Sequence, residues 1–157
     1  MVLGVGFDLE DLEDFGRTMD QSGEAFLKRV YTEREIEYCR SQPHARQSYA
    51  ARYCAKEAAM KALGIAGMEG LKWHDFEIVC VGAGSPQLLV TGLAASAAKS
   101  LRVRRFFVSL SHSRSAAGAV VVAEGAGSMP TRPAASRNTA RASSAGRRPD
   151  KKSRARS

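Results

Sequence analysis

The sequence predicts an α+β domain with an antiparallel-rich sheet and one long central helix. Two observations carry that prediction. Apolar runs of strand length, bounded by Gly, Pro and Ser, recur at residues 2–8, 76–81, 87–91, 106–110 and 117–123. Between them an Ala-rich stretch from about Ala45 to Leu63 sets Tyr49, Tyr53, Met60 and Leu63 near one helical face and stops at Gly64. A 157-residue chain that is 44% hydrophobic and 25% charged has the composition of an ordinary globular domain with room for one core.

The elements follow in order. Residues 2–8 read as a strand ending at Asp8, and Glu10, Asp11, Glu13 and Asp14 lead into a helix-prone segment. Phe26, Leu27, Val30 and Tyr31 give that segment a short apolar face. Thr32 and Glu35 form a capping-box pattern that opens a helix to about Cys39, and Pro43 breaks it. The long helix then runs to Leu63, where Gly64 suits the left-handed residue after a helix end. Strands 76–81 and 87–91 are joined by the turn Gly82-Ala83-Gly84-Ser85-Pro86. Leu93 to Leu101 reads as a helix, and the last two strands turn at Ser113-Arg114-Ser115.

The net charge of +8 is not spread over this domain. Residues 125–157 hold nine basic side chains against one acid, Asp150, while residues 1–124 hold 15 of each sign. The chain therefore divides into a neutral domain, 1–124, and a basic tail, 125–157. The tail's composition of Gly, Ser, Ala, Pro, Arg and Lys predicts disorder, since it lacks the apolar surface that offsets ordering. Such a tail favours weak contact with polyanions. No apolar run approaches a membrane span, and Cys39, Cys54 and Cys80 show no CxxC spacing. Three scattered thiols suit a reducing compartment, so a cytoplasmic protein is expected.

The chemistry concentrates in two acids. Asp8 closes Gly4-Val5-Gly6-Phe7-Asp8, where glycines let backbone approach a ligand closely. Glu57 lies in Arg52-Tyr53-Cys54-Ala55-Lys56-Glu57-Ala58-Ala59-Met60-Lys61-Ala62-Leu63-Gly64. Four-residue spacing puts Glu57 and Lys61 on one helical face, and Arg52 and Lys56 on another. Taken alone this is a helix-surface ladder, with each pair worth about 0.2–0.5 kcal/mol. Brought together, a strand-end acid and a helix acid offer hard oxygen ligands for Mg²⁺, and the lysines offer charge for phosphates. A substrate bearing a diphosphate fits that set. No GxSxG elbow occurs, which argues against a serine hydrolase.

Near the C-terminal end of the domain, Ser109-Leu110-Ser111-His112 closes an alternating strand. The order of GxGxD, RxxxKEAxxKALG and SLSH resembles the holo-acyl-carrier-protein synthase family, the short class of 4′-phosphopantetheinyl transferases, over roughly residues 3–124. The resemblance implies the fold of that family and transfer of 4′-phosphopantetheine from coenzyme A to a serine of an apo-acyl carrier protein, leaving 3′,5′-ADP. It implies that Asp8 and Glu57 share one Mg²⁺ and that Lys61 meets a phosphate oxygen. Arg52, Lys56, Gly64, Ser85, Pro86, Ser109, Ser111 and His112 are implied contacts of coenzyme A, with Lys56 directed at the nucleotide or a neighbouring subunit. Glu57 and Asp8 both stand as candidates for the serine's proton acceptor. A homotrimer with shared sites is also implied.

Two positions depart from the family. Phe107 stands where members often carry a histidine, with Arg105 the candidate to replace it, and Glu13 and Asp14 stand where the first helix is often basic toward an acidic carrier. These departures leave a catalytically silent binder of coenzyme A as one rival reading. A nucleic-acid-binding protein acting through the tail is the other.

Overall fold

The computed structural model describes residues 1–81 and 85–126. The turn expected at Gly82–Gly84 and the disorder expected for the tail from residue 127 onward lie outside the described residues.

Ten residues of strand β1 (Val2–Asp11) run antiparallel to β5 (Ala116–Gly125), which in turn pairs with β4 (Val103–His112). These three form one sheet in the order β1-β5-β4, and β2 (Phe76–Val81) with β3 (Ser85–Val90) forms a separate two-stranded sheet. The predicted α+β class is what forms, with all pairings antiparallel but split into two sheets. Strands β1, β4 and β5 outrun their predicted lengths. Arg105 and Ser111 are polar yet pair in register with Glu124 and Gly118, because the face they take is exposed and imposes no apolar requirement, and the ladder is irregular between Val103 and Arg105. Strand β5 also carries Gly125, one residue into the segment read as tail.

The helices sit where caps and breakers put them. Helix α1 (Leu12–Val30) starts at Asp11, whose side chain accepts from the backbone N–H groups of Glu13 and Asp14. It breaks at Gly23, which has φ 54° and ψ −141°. Helix α2 (Glu33–Ser41) opens on the predicted Thr32–Glu35 capping box, a device worth about 1 kcal/mol. Helix α3 spans Ala45–Leu63 as expected, and α4 spans Gly92–Ser100. At the end of α3 the N–H of Gly64 (φ 68°) donates to Lys61 O and that of Ile65 to Met60 O. This closed end fixes where the last turn, and Lys61 with it, must lie.

Helix α3 crosses the inner face of the three-stranded sheet. Ala117, Ala119, Val121 and Ala123 of β5 point at it, each no more than 3% exposed. The helix presents mostly alanines in return, so the two backbones come close. Gly4 and Gly6 make the approach possible: a Cβ at Gly4 would strike Ala62 O, and one at Gly6 would strike Ala58 O. The glycines that suggested access for a ligand therefore admit the helix instead. One core cluster beneath α3 gathers Phe76, Ile78, Leu88 and Val121, and a second gathers Phe15, Phe26, Tyr31 and Tyr49.

Candidate active site

Period-two alternation turns Asp8 and Glu10 toward α3 and Phe7 and Leu9 away from it, as their β5 partners Ala119 and Ala117 confirm. After Gly4 and Gly6, Asp8 is the first residue on this face of β1 with a side chain. It enters where α3 presents Tyr53, Glu57 and Lys61 at four-residue intervals. The carboxylate and the ammonium meet there. Lys61 Nζ is 2.7 Å from Asp8 Oδ1 and 3.2 Å from the carbonyl oxygen of Phe7. Asp8 Oδ2 is buried and has no hydrogen-bond partner among the described residues.

The charges in this cluster act on one another. Burial, followed by the charge of Asp8, holds the Glu57 pKa above its ordinary value, with Lys61 opposing. Glu10 is raised by burial, then by Asp8 and Glu57. Its hydrogen bond to Asp8 raises the pKa of Lys61. The set is three acids with one cation among them, an excess of negative charge that a divalent cation would relieve. No group of three or more His, Cys, Asp or Glu among the described residues is arranged to hold a metal. The fit is instead that of a two-carboxylate site. Among the described residues Asp8 Oδ2 has no hydrogen-bond partner and Glu57 has no ion-pair partner, and Mg²⁺ commonly takes one or two carboxylates and fills its shell with water and phosphate oxygens.

The SLSH segment divides between the two faces of the sheet. His112, Ala117 and Glu10 form one inward-facing row, which sets His112 two strands, roughly 10 Å, from Glu10. Ser109 and Ser111 lie in outward rows with Phe7 and Leu9, along a groove of about 330 Å³. Within one chain they are therefore on the opposite side of the sheet from Asp8. Phe107 is also outward, and Arg105 lies over its ring at 5.6 Å. Gly64 closes α3 next to Lys61, while Ser85 and Pro86 begin β3, with Pro86 paired to Cys80.

Lys56 corrects the expectation made for it. Its side chain is 0% exposed, and its ammonium lies 2.7 Å from Glu35 Oε2 and donates to the carbonyls of Val30, Trp73 and Phe76 at 2.9, 3.2 and 2.6 Å. With every donor occupied inside the core it has none left for a nucleotide. Arg52, 5% exposed, lies one turn before Lys56 on that side of the helix. Its guanidinium stacks over Tyr38 at 4.0 Å and donates to Ser48 O and Cys80 Sγ, with Nε left unpartnered.

On α1, Glu13 and Asp14 both pair with Arg17, so Lys28 and Arg29 are the exposed basic groups of that helix free of such a pair among the described residues. A cavity of about 930 Å³ between α1, α2 and His74 holds none of the predicted site residues. Two members of the cluster escaped the sequence reading. Glu10 was visible as the residue two after Asp8 on a strand, hence on its face. Tyr53 was visible as the residue one turn before Glu57, but it read as core.

Known proteins share this arrangement of elements. The family model described as the 4′-phosphopantetheinyl transferase superfamily matches residues 4–121. A holo-[acyl-carrier-protein] synthase of Koribacter versatilis is 41% identical over 124 residues, covering 79% of this chain and 99% of the relative. That of Geobacter sulfurreducens is 40% identical, covering 79% and 98%. Among solved structures, the holo-[acyl-carrier-protein] synthase of Neisseria meningitidis superposes with a TM-score of 0.72 at 27% identity, covering 79% of this chain and 99% of that one. The Bacillus anthracis synthase, solved in complex with CoA (3′,5′-ADP), superposes with a TM-score of 0.65 at 26% identity, covering 80% and 99%.

Proposed function

Because the chain belongs to the holo-acyl-carrier-protein synthases of the 4′-phosphopantetheinyl transferase superfamily, we propose that Asp8, Glu57 and Lys61 form the centre at which its reaction takes place. It transfers the 4′-phosphopantetheine group of coenzyme A to a serine of an apo-acyl carrier protein and releases 3′,5′-ADP. The observation that carries the site is the buried, unpartnered Asp8 Oδ2 beside Glu57 on a helix that also supplies Lys61. Asp8 and Glu57 would hold Mg²⁺, which when bound supplies charge neutralisation at the diphosphate.

The chain's own groups do the rest. Lys61, its side chain 45% exposed, is long enough to exchange Asp8 for a phosphate oxygen, where it adds a second preorganised positive charge. Glu57 has no ion pair among the described residues and a proton affinity raised by burial and then by the charge of Asp8. Glu57 is thus the better acceptor for the serine proton. Gly64 beside Lys61, and Ser85, Pro86 and His112, remain the contacts proposed for the rest of coenzyme A.

The outer sheet face supports a homotrimer. Val5, Phe7 and Leu9 are 59–61% exposed and Phe107 is 49% exposed, an apolar surface that one chain leaves uncovered. Ser109 and Ser111 lie on it, so a second copy seated there would bring them to a site shared between subunits. The three free thiols support a cytoplasmic setting.

The test is mass spectrometry of apo-carrier protein incubated with coenzyme A, Mg²⁺ and this protein, alongside Asp8→Asn and Glu57→Gln variants checked by circular dichroism. Wild type adds the phosphopantetheine mass. Each variant loses transfer and binds Mn²⁺ more weakly by calorimetry. Near-normal turnover in a folded Glu57→Gln protein would sink the assignment.

A further inference from the structure

Tyr53 stands one turn before Glu57 and two before Lys61, so the three form one stripe of α3 facing Asp8 and Glu10. Its ring is held by three others. It stacks on Trp73 with centroids 4.9 Å apart and planes 26° from parallel, and packs against Phe15 at 5.6 Å and Phe26 at 6.3 Å. The fold uses the ring and not the hydroxyl. Tyr31 donates to Tyr49 O and Tyr49 to Ile36 O, whereas the Tyr53 hydroxyl has no hydrogen-bond partner among the described residues.

That hydroxyl nevertheless lies within the field of the site. Burial, then the charges of Glu57, Glu10 and Asp8, push its pKa up to about 12. The carboxylates act on it through space without bonding to it. It is a protonated donor on the same helical stripe as Glu57 and Lys61, on a ring that packing prevents from swinging away. The cluster itself is rich in acceptors and has only Lys61 as a cationic donor. A diphosphate, which is all acceptor, needs donors there.

We propose that the Tyr53 hydroxyl contacts substrate directly, donating a hydrogen bond to an anionic oxygen of the coenzyme A diphosphate. The inference rests on the reading of Asp8, Glu57 and Lys61 as the transfer centre. In the transfer the serine Oγ forms a bond to the β-phosphorus, the bond from that phosphorus to the bridging oxygen breaks, and the electron pair leaves on 3′,5′-ADP. The serine proton passes to Glu57. Negative charge stays on the diphosphate oxygens throughout, so a fixed neutral donor lowers its cost without adding a competing cation.

Tyr53→Phe keeps the ring and removes only the donor. Transfer kinetics, thermal melting, and calorimetric affinities for coenzyme A and Mn²⁺ should be measured on the full chain and this variant. The expected result is a loss of about 10- to 100-fold in kcat/KM for coenzyme A, with melting temperature and Mn²⁺ affinity at wild-type values. Kinetic constants within about twofold of wild type overturn the proposal, as does a loss accompanied by a lower melting temperature. Absence of transfer by the wild-type chain overturns the transfer reading and this inference with it. Transfer that is equal in both proteins overturns this inference alone.

Discussion

Replacing Lys56 with methionine separates a structural lysine from a substrate-binding one. The ammonium joins four segments to α3 through Glu35, Val30 O, Trp73 O and Phe76 O, at distances between 2.6 and 3.2 Å. Methionine fills a similar volume and removes all of these contacts. Glu35, 1% exposed, then keeps only the N–H groups of Thr32 and Ile78, both at 2.9 Å, as partners for a buried negative charge. Removing one partner of a buried ion pair costs about 3–5 kcal/mol, and the orphaned carbonyls push the figure toward the upper end. Against a typical domain stability of about 5–15 kcal/mol, the variant should fold but melt far below wild type. Urea unfolding followed by circular dichroism gives the difference directly. Adding Glu35→Gln should recover part of the loss, because the amide still accepts from Ile78 N without burying a charge. Coenzyme A affinity per folded molecule should be unchanged. A Lys56→Met protein within about 1 kcal/mol of wild type would refute the energetic reasoning. A stable one that had lost coenzyme A affinity would return Lys56 to the nucleotide.

Other expectations concern the carboxylates and the tail. Glu57 and Glu10 have folded-state pKa values raised above the ordinary 4.5, so the stability they contribute without metal is full below that pH and is lost as pH rises through the raised values. Mg²⁺ held by Asp8 and Glu57 as proposed would favour the ionised carboxylates, so a rise in melting temperature on adding it should grow across the same window and shrink toward pH 4.5. Melting curves with and without Mg²⁺ check this, and a shift independent of pH would contradict it. Deleting residues 127–157 should leave kcat and the KM for coenzyme A near wild type, since the matched relatives align with only 79% of the chain and every site residue lies before the cut. With an acidic carrier, kcat/KM should fall on deletion at low salt and converge with the full chain above about 0.1 M, where screening shortens to about 10 Å. A difference that persists at high salt would mean that the tail docks specifically.

The class of fold, the span of α3, the Thr32–Glu35 cap, the Gly64 stop and the motif order that identified the family were all legible in the order of the residues. Each of these depends on interactions within a few residues, or on which residues occur in which order, and neither needs the chain to fold back on itself. Tertiary structure decided the remainder. Lys56 and Glu57 are neighbours in sequence, yet about 100° of helical rotation sends one into the core and the other to the site. Glu35, which claims Lys56, lies in another helix, and no spacing rule links them. Gly4 and Gly6 read as room for a ligand because a sequence does not state what approaches a glycine, and here it is the backbone of Ala58 and Ala62. Asp8 and Lys61 meet across 53 residues, and the register of β1 on β5 carries Glu10 to their side and Phe7 away from it. Ser109 and Ser111 were legible as polar strand residues, but the parity of the ladder placed them on the outer face. The alternation of Val108 and Leu110 with the serines marks a polar face locally, but that Asp8 lies on the other face is set by the pairing of β1, β5 and β4, strands far apart in sequence.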